Sequence, residues 1–256
     1  MPSFIPDSMT VVIPAYNEEK RIGRALEDYC RFIESNGLGW KVIVSIDGSD
    51  GTEAIVDGIA SRYTFVSKDR RSGRNGKGEA VRRVLDKVDT AYVMLADSDN
   101  SVCIPELMRC VDYLAEYDAV LPNRYNGHHN PIPLSRRVMG VTFNLLVKAS
   151  LGISAADTQC GYKLFRTEQL RNSMAKVGVT NAFFDVSLLY HMKKGGAKAT
   201  SVSVEYMHSD GSTFSPLLLA VGHGISLLAF RIYHSRFGRY IPDSIRDLYL
   251  RKFRWA

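Results

Sequence analysis

Short apolar runs alternate, through the first half of this chain, with longer stretches in which apolar residues recur at helical spacing. The apolar runs predict strands near 10–15, 41–46, 63–66, 91–96 and 118–122. The longer stretches predict helices near 19–36, 52–61, 77–88 and 104–116. Because strands alternating with helices of this length are typical of βαβ units, the chain predicts an α/β fold with a mostly parallel central sheet flanked by helices.

The pattern changes after residue 130. A helix is predicted through "RRVMGVTFNLLVKASLG", followed by the loop "ISAADTQCGYKLFR" with strand character at 162–165. A helix at 184–194, a strand at 199–205 and a long helical segment from Pro216 to about Phe237 come next. Since no repeat, low-complexity tract or clear linker interrupts the 256 residues, we expect one domain over 1–215 with a helical extension over 216–256.

Acidic segments follow three of the predicted strands: "PAYNEE", "DGSDGT" and "DSDNS". The carboxyl ends of parallel strands meet at one edge of a sheet, where ligands bind, so these segments should converge. The pair Asp97 and Asp99 alone is more often a solvated turn with a helix cap, because Asp favours both. Three acidic strand ends at one edge are harder to explain as unrelated turns.

Two further segments suit a nucleotide. Asp47 and Asp50 end the second predicted strand, either as an ordinary Asp-Gly turn or with Asp47 accepting hydrogen bonds from a base while the next helix start lies near phosphate. The glycine-rich "SGRNGKGEA" lacks the Lys-Ser/Thr pair of a Walker A loop. Lys77 and the arginines around it either neutralise a diphosphate or form a solvated basic face.

The net charge of +6 is unevenly placed, with a local excess of five positive charges after Phe230 and a second basic run at 62–87. A basic balance indicates an anionic partner: nucleic acid, a membrane surface or phosphorylated small molecules. The acidic strand ends argue against nucleic acid because they would repel a polyanion. The four cysteines, which lack disulfide or zinc spacing, and the absence of a signal-peptide pattern predict a cytoplasmic protein with reduced thiols.

In combination these segments resemble the inverting glycosyltransferases of the large GT-A family 2. The matching segments are "VVIPAYNEE", "DGSDGT", "GKGEAVR", "ADSD", "DAVLPNRY" and the helix "SRRVMGVTFNLLVKASLG". The last two are similar to the polyprenyl-phosphate branch, and "DTQCGYKLFR" followed by "FFDVSLLYHMKKGG" is similar to dolichyl-phosphate glucosyltransferases. The resemblance covers roughly 10–215 and implies a GT-A nucleotide-sugar transferase domain there.

The resemblance also implies roles for individual residues. Asp97 and Asp99 would hold Mg²⁺ or Mn²⁺, hard cations that prefer oxygen ligands, against the donor diphosphate. Ser101 occupies a position where related mannosyltransferases often have Gln, so its place near the metal is open. The nucleotide pocket would be formed by Pro14, Tyr16, Glu18, Asp47 and Lys77.

On the acceptor side, the resemblance places Arg124 towards phosphate, Arg136 and Arg137 at the acceptor phosphate, and Asp157 and Gln159 beside the sugar and acceptor. The arginines are equally compatible with surface charge or a helix start. Cys160 is interpreted as a small buried neighbour. A lipid phosphate is already anionic and can attack without a base, whereas a sugar hydroxyl would need one, and Asp157 is then the candidate.

The resulting hypothesis is a metal-dependent enzyme that transfers a hexose, with glucose favoured, from a UDP- or GDP-sugar to dolichyl or another polyprenyl phosphate with inversion. The alternatives are a GDP-mannose-dependent dolichyl-phosphate mannosyltransferase and a GT-A transferase that acts on a glycan hydroxyl. A nucleotide-sensing or nucleic-acid-binding protein is the competing class.

The C-terminal region adds a membrane hypothesis. The apolar segment "PLLLAVGHGISLLAF" is short for a spanning helix, and a buried core helix is one explanation of it. Aromatic residues interleaved with the basic cluster favour an interfacial element on an anionic lipid surface. These residues are Tyr233, Phe237, Tyr240, Tyr249, Phe253 and Trp255. We therefore expect a peripheral protein on the cytoplasmic face of a membrane.

Overall fold

The computed structural model describes residues 4–127, 132–179, 183–207, 216–236, 238–240 and 242. Its strands are β1 (Met9–Tyr16), β2 (Lys41–Asp47), β3 (Val66–Arg71), β4 (Tyr92–Leu95), β5 (Ala119–Asn123), β6 (Lys163–Arg166) and β7 (Ala199–Ser203). Its helices are α1 (Ile22–Ser35), α2 (Thr52–Ala60), α3 (Lys77–Leu85), α4 (Ile104–Val111), α5 (Leu134–Leu151), α6 (Thr167–Met174), α7 (Phe184–Lys194) and α8 (Pro216–Tyr233). Short 3-10 helices lie at Asp112–Ala115 and Gly238–Tyr240.

The strands form one sheet in the order β3-β2-β1-β4-β6-β5-β7. Neighbouring strands are parallel except around β6, which runs antiparallel to both β4 and β5. In the β1–β2 register Tyr16 lies opposite Asp47, so both strands end at the same level. The predicted mostly parallel sheet is confirmed, and its carboxyl edge gathers the acidic strand ends.

Alternate residues of β1 enter different cores. Val11 and Ile13 pack with α1, α2 and α4 on one side of the sheet, whereas Val12 packs with α3 and α7 on the other. Side chains alternate between the faces of a strand, so a strand covered on both faces has to be apolar at nearly every position. This explains the unbroken apolar runs in the sequence.

Helix α8 shares a core with the rest of the chain. Leu227 and Phe230 are buried with Leu121 of β5 and Val147 of α5. The helix predicted from residue 216 is therefore present, and the predicted boundary at residue 215 separates two segments that share a core. No helix among the described residues is long and apolar enough to cross a membrane. Of the aromatic residues predicted to bind lipid, Tyr233 and Tyr240 are among the described residues, whereas Phe237, Tyr249, Phe253 and Trp255 lie outside them.

One secondary-structure prediction was wrong, and one helix was missed. The third strand was expected at 63–66 but runs over Val66–Arg71. It is an edge strand whose polar side chains face water and α2, where Lys68 bonds Asp57 (2.6 Å), so it lacks the apolar signal of a central strand. Helix α6 was not predicted, because "TEQLRNSM" buries only part of its length and carries a weak apolar pattern.

Candidate active site

The ends of β1 and β2 are joined by hydrogen bonds. Asn17, in the left-handed region (φ 54°), accepts a bond from the Ser49 backbone N–H at 3.0 Å. The Glu18 backbone N–H donates to the Thr52 hydroxyl at 2.8 Å. Gly48 (φ 100°) lies so close to Asn17 that a β-carbon would overlap its side chain. These contacts join the acidic loop after β1 to the acidic loop after β2, since the two strands are neighbours in the sheet. We call the two joined loops the rim.

Asp47 is buried at the base of this rim. Its Oδ1 accepts a bond from Arg83 Nη1 (2.9 Å) and its Oδ2 accepts one from the Asn75 backbone N–H (2.8 Å). The carboxylate thus anchors the glycine-rich loop that precedes α3. A carboxylate has about four acceptor positions, so these two bonds leave capacity for a ligand donor. Contact with a nucleotide base stays a prediction.

Pro14 and Tyr16 lie at the end of β1, beside the glycine-rich loop. Pro14 is half-buried, whereas Tyr16 is exposed. The Arg74 guanidinium lies 5.0 Å from the centre of the Tyr16 ring, within the range of a cation–π contact. An exposed aromatic ring beside a cation suits a flat ligand with attached phosphate. The place of Tyr16 in a nucleotide pocket, which the resemblance implies, stays a prediction.

Arg21 carries a positive charge towards the acidic strand ends. It forms two bonds to the Glu18 carboxylate, at 2.7 and 2.8 Å. Partial burial lowers the pKa of Arg21, but Glu18 and the more distant Asp99 and Asp97 outweigh that effect and raise it. Glu18, predicted to line the nucleotide pocket, therefore also holds Arg21 near the D-x-D pair.

Asp97 and Asp99 follow β4 directly. Asp99 Oδ1 accepts a bond from the Ser101 backbone N–H at 3.0 Å, and Ser101 is itself buried. Asn100, between Asp99 and Ser101, takes a left-handed conformation (φ 53°). Gly161 lies directly against Asp97, and a β-carbon at that position would overlap the carboxylate. The D-x-D turn and the loop before β6 therefore meet over Asp97.

Lys77 links Asp97 to a buried acid on α7. Its Nζ lies 3.6 Å from Asp97 Oδ1 and 3.8 Å from Asp185 Oδ2, and Asp185 also bonds Lys163 at 2.8 Å. Burial lowers the pKa of Lys77, but Asp185 and Asp97 raise it above its ordinary value. Burial raises the pKa of Asp185, and the two lysines lower it further than that. Lys77 therefore remains an ammonium group beside the D-x-D pair.

Asp185 was not identified from the sequence. Its signal is an acid at the start of the otherwise apolar segment "FFDVSLLY". A carboxylate buried among apolar residues requires a cationic partner, and here two lysines supply it. The same argument applies to Lys163, which is fully buried and also donates to the Cys160 carbonyl.

Arg124 and Asp157 form a bidentate pair at the acceptor side. Arg124 Nε and Nη2 donate to the two Asp157 oxygens at 2.6 and 3.0 Å, and the Gln159 backbone N–H also donates to Asp157 (3.2 Å). Burial lowers the pKa of Arg124, but Asp157 raises it well above the ordinary value. The Arg124 charge also lowers the pKa of Lys77, against the larger effects of Asp185 and Asp97. The contact of Arg124 with a phosphate group stays a prediction.

Within the described part of the chain, the Gln159 side-chain nitrogen Nε2 is buried and has no hydrogen-bond partner. An unsatisfied buried donor costs roughly 1–3 kcal/mol, so such groups are often found where a ligand completes the bonding. Cys160 beside it is buried, and burial raises its thiol pKa to about 11. A neutral thiol of this kind is a poor nucleophile, in line with the sequence interpretation.

Helix α5 holds the acceptor-side loops. Arg137 Nη2 donates to the Tyr125 carbonyl at 3.0 Å, and Arg136 is half-buried in the same first turn. Further along, Asn144 Oδ1 accepts bonds from Thr158, at 3.0 Å from its N–H and 2.7 Å from its hydroxyl. The two arginines thus lie beside the segment after Arg124, and their contact with an acceptor phosphate stays a prediction.

The residues around Asp97 fit a divalent cation shared with a substrate. No group of three or more His, Cys, Asp or Glu side chains suited to a metal occurs in the described ranges. Mg²⁺ commonly binds through one or two carboxylates, with substrate phosphates and waters as its other ligands. Asp97 remains 40% exposed at a cradle that only glycine at position 161 allows. The two carboxylates thus suit a metal that arrives with a diphosphate.

The fold and its acidic strand end are those of a GT-A glycosyltransferase. The chain belongs to glycosyl transferase family 2, whose family model matches residues 10–173. This span runs from β1 into α6 and includes the rim, the D-x-D pair and the Arg124–Asp157 pair. The protein is accordingly a glycosyltransferase.

Among curated proteins the chain is similar to dolichyl-phosphate beta-glucosyltransferases. One from Trichomonas vaginalis is 26% identical over 219 residues, covering 80% of this chain and 67% of the relative. The Homo sapiens protein is 25% identical over 249 residues, covering 88% and 75%.

Solved structures share the fold at lower identity. Glucosyl-3-phosphoglycerate synthase from Mycobacterium tuberculosis, in complex with Mn²⁺, uridine diphosphate and phosphoglyceric acid, matches with a TM-score of 0.60 and 21% identity over 88% of this chain and 78% of that one. Mannosyl-3-phosphoglycerate synthase from Rubrobacter xylanophilus matches with a TM-score of 0.62 and 15% identity, covering 93% and 79%.

Proposed function

We propose that this glycosyltransferase transfers glucose from a nucleotide sugar to dolichyl or another polyprenyl phosphate with inversion, and that the reaction requires Mg²⁺ or Mn²⁺. The named relatives support the glucose and the lipid phosphate. The structural neighbour bound to uridine diphosphate makes UDP-glucose the first donor to test.

The Arg124–Asp157 pair carries this proposal, because it favours one of the two classes of acceptor over the other. A sugar hydroxyl needs a carboxylate base, and Asp157 was the candidate. In the structure both Asp157 oxygens accept bonds from the Arg124 guanidinium, and the residue is fully buried. The Arg124 and Gln159 backbone N–H groups donate to the same two oxygens, so four hydrogen bonds fill the roughly four acceptor positions of this carboxylate and leave none for a hydroxyl proton. An acceptor that is already anionic needs no base, so the geometry favours a phosphate.

On the donor side, the chain's own groups bind and position the leaving diphosphate. Lys77 and Arg21 place positive charge near the D-x-D pair, where it would stabilise the negative charge that develops on the diphosphate. A divalent cation bound by Asp97 and Asp99 would add charge neutralisation at the same diphosphate. Asp47 and Tyr16 would orient the base, and the acceptor phosphate would attack the anomeric carbon from the opposite face.

The test is a donor and acceptor screen with the purified full chain. Radiolabelled UDP-glucose and GDP-mannose are each incubated with a polyprenyl phosphate or a soluble glycan, with Mn²⁺ or with a chelator. We expect label in the lipid product only with UDP-glucose, the polyprenyl phosphate and metal. Transfer from GDP-mannose to the lipid would replace the donor assignment, and transfer to the glycan would contradict the acceptor assignment.

A further inference from the structure

Helices α5 and α8 carry most of the large apolar side chains that the described part of the chain exposes to solvent. Nine of these side chains are between 38% and 75% exposed. We call them the α5–α8 face, and they are Leu134, Val138, Val141, Leu145 and Leu146 on α5, with Val221, Ile225, Leu228 and Ile232 on α8. Exposed large apolar residues elsewhere are scattered singly over other elements, as is usual for a soluble surface.

The face is separate from the apolar residues that build the core. On α5 the buried positions include Asn144 and Val147, and on α8 they include Leu227 and Phe230. The exposed positions recur at spacings of three and four on the opposite side of each helix, so they form a stripe along it. The helices pack against each other, with the Phe143 and His223 rings 5.1 Å apart. Two stripes directed away from one core on adjoining helices form a continuous surface.

The charges on these helices have a single sign. Neither α5 nor α8 contains an Asp or Glu. Arg137 and Lys148 are exposed on α5, and Arg231 is exposed on α8. An apolar stripe with cations beside it and no carboxylate complements the interface of an anionic bilayer, where apolar side chains enter the acyl boundary and cations meet lipid phosphates. A protein partner that carries both acidic and basic residues would give no reason for Asp and Glu to be absent from both helices.

We propose that the α5–α8 face is the membrane-docking surface of this protein, with both helices lying in the plane of the lipid interface. No helix in the described ranges is long and apolar enough to span a bilayer, and the proposed contact is interfacial. The proposal deepens the proposed function, on which it rests for the presence of a lipid acceptor, and it assigns the contact to a folded surface instead of the basic C-terminal segment alone.

Docking through this face would bring the acceptor loop to the lipid. Asn144, on the inner side of α5, bonds Thr158, the neighbour of Asp157. A helix with its side chains is about 10 Å across, so the Asp157 loop and the lipid-facing stripe are separated by about one helix diameter. A polyprenyl phosphate held with its chain in the bilayer would then need only a short displacement of its phosphate to reach the site.

The first experiment is flotation of the full chain with vesicles of phosphatidylcholine containing about one third phosphatidylserine. The variant is the triple substitution Leu134→Ser, Leu145→Ser and Leu228→Ser. The matched control replaces the exposed apolar residues Ile5 and Tyr113, which lie on other elements, with Ser. We expect the triple variant to lose roughly tenfold or more of the vesicle partition coefficient, because exposed leucines lose their burial in lipid, and the control to bind as the unaltered chain does.

The loss should persist in about 1 M NaCl, where electrostatic attraction extends only about 3 Å. Equal binding of the triple variant and the unaltered chain at high and low salt would overturn the proposal. No binding of the unaltered chain to these vesicles would also overturn it. A change from dimer to monomer in the triple variant, measured by light scattering without lipid, would instead identify the face as a contact between copies of the chain.

A second measurement reports how deeply the α5–α8 face enters the bilayer. With Trp255 replaced by Phe in both variants, Leu228→Trp should show quenching by phosphatidylcholine brominated in the acyl chain, and Tyr113→Trp should not. Equal quenching would overturn the proposal. Failure of the proposed function is separable, because transfer of glucose to a short-chain, water-soluble polyprenyl phosphate does not need the face. The triple variant should keep that transfer. If no phosphate acceptor is glucosylated while flotation and quenching behave as expected, the docking surface stands and the acceptor assignment fails.

Discussion

Asp97 lies where a carboxylate, an ammonium group and a glycine meet. Its oxygen is 3.6 Å from Lys77 Nζ, and Gly161 closes over it without a side chain. The carboxylate is 40% exposed. We therefore expect substitution of Asp97 to impair ligand binding without unfolding the domain.

Asp97→Asn or Asp99→Asn should reduce transfer by about 10²- to 10³-fold, because each removes a charged ligand for the cation at the leaving diphosphate. Initial rates with Mn²⁺, together with thermal unfolding of both variants, measure the effect. The unfolding temperature should change little. Full activity of the unaltered protein in saturating chelator would contradict the metal role.

Gly161→Ala should reduce transfer by about 10²-fold, since the added methyl group displaces the Asp97 carboxylate and a misplacement of about 1 Å can cost that much. Gly58→Ala on α2 is the control, because a β-carbon there meets no other atom within 4 Å. Steady-state rates of the two variants are compared at saturating donor. Equal rates would show that the close approach of the loop to Asp97 has no part in catalysis.

At the scale of elements, α8 has a buried position and an exposed position only two residues apart. Phe230 is buried against Phe183 and Tyr190, at ring distances of 5.3 and 5.2 Å. Leu228, two positions earlier, is 63% exposed. One helix therefore serves both stability and the proposed docking surface.

Phe230→Ala should lower the free energy of unfolding by about 3–5 kcal/mol, as a buried aromatic side chain is lost and a cavity remains. Leu228→Ala should change it by less than about 0.5 kcal/mol. Urea denaturation without lipid measures both. If the two variants were equally stable, α8 would not belong to the shared core, and the boundary at residue 215 would separate independent units.

The contact between α7 and α8 should weaken in mild acid. Burial, with the nearby charges of His234 and Lys176, lowers the pKa of His191 from 6.5 to about 4. The folded protein then binds this proton less readily than the unfolded chain does, so the contribution to stability is present above about pH 6.5 and is lost as the pH falls towards 4. Allowing for partial exposure, we expect a loss of about 1 kcal/mol between about pH 6.5 and pH 5.

Urea denaturation across this range, repeated with His191→Leu, measures the effect. The variant should show a flatter dependence on pH over this window, and the two curves should run parallel above about pH 7. Asp185, whose pKa is lowered, contributes only at more acidic pH. An unchanged slope in the variant would assign the acid sensitivity to other groups.

At the scale of the whole molecule, positive charge is concentrated in two regions, and each region suits a different kind of anionic ligand. Lys77, Arg21 and Arg124 lie among carboxylates at the carboxyl edge of the sheet. Five of the six net positive charges lie instead after Phe230, in a region of which only the first part is described. The first group suits a bound diphosphate, and the second suits long-range attraction to an anionic surface.

Charge reversal at Arg251, Lys252 and Arg254 should weaken binding to anionic vesicles at low salt, since each cation near such a surface contributes on the order of 1 kcal/mol. The effect should disappear in about 1 M NaCl, where these charges are screened. Co-sedimentation at both salt concentrations, beside hydrolysis of the donor to water, provides the measurement. Hydrolysis should be unchanged, and a salt-independent loss of binding would point to a packing role for this segment.

Much of the fold was accessible from local pattern. β1, β2, β4 and β5 appear as apolar runs because strands covered on both faces have to be apolar, and the acidic ends follow from the polarity of loops at a ligand edge. The edge strand Val66–Arg71 and the short α6 escaped prediction, since neither buries enough apolar surface to leave a period in the sequence.

The sequence by itself determined the α/β class, the D-x-D position and the family resemblance, because these depend on residue type and order along the chain. Tertiary structure decided the partners. Asp157 meets Arg124 across 33 positions, Lys77 meets Asp185, and Gly161 meets Asp97 only after the strands are arranged in the sheet. Local pattern carries no information on such contacts, because they are selected by the packing of distant segments. The same reason applies to the α5–α8 face, whose exposure depends on which side of each helix the core covers.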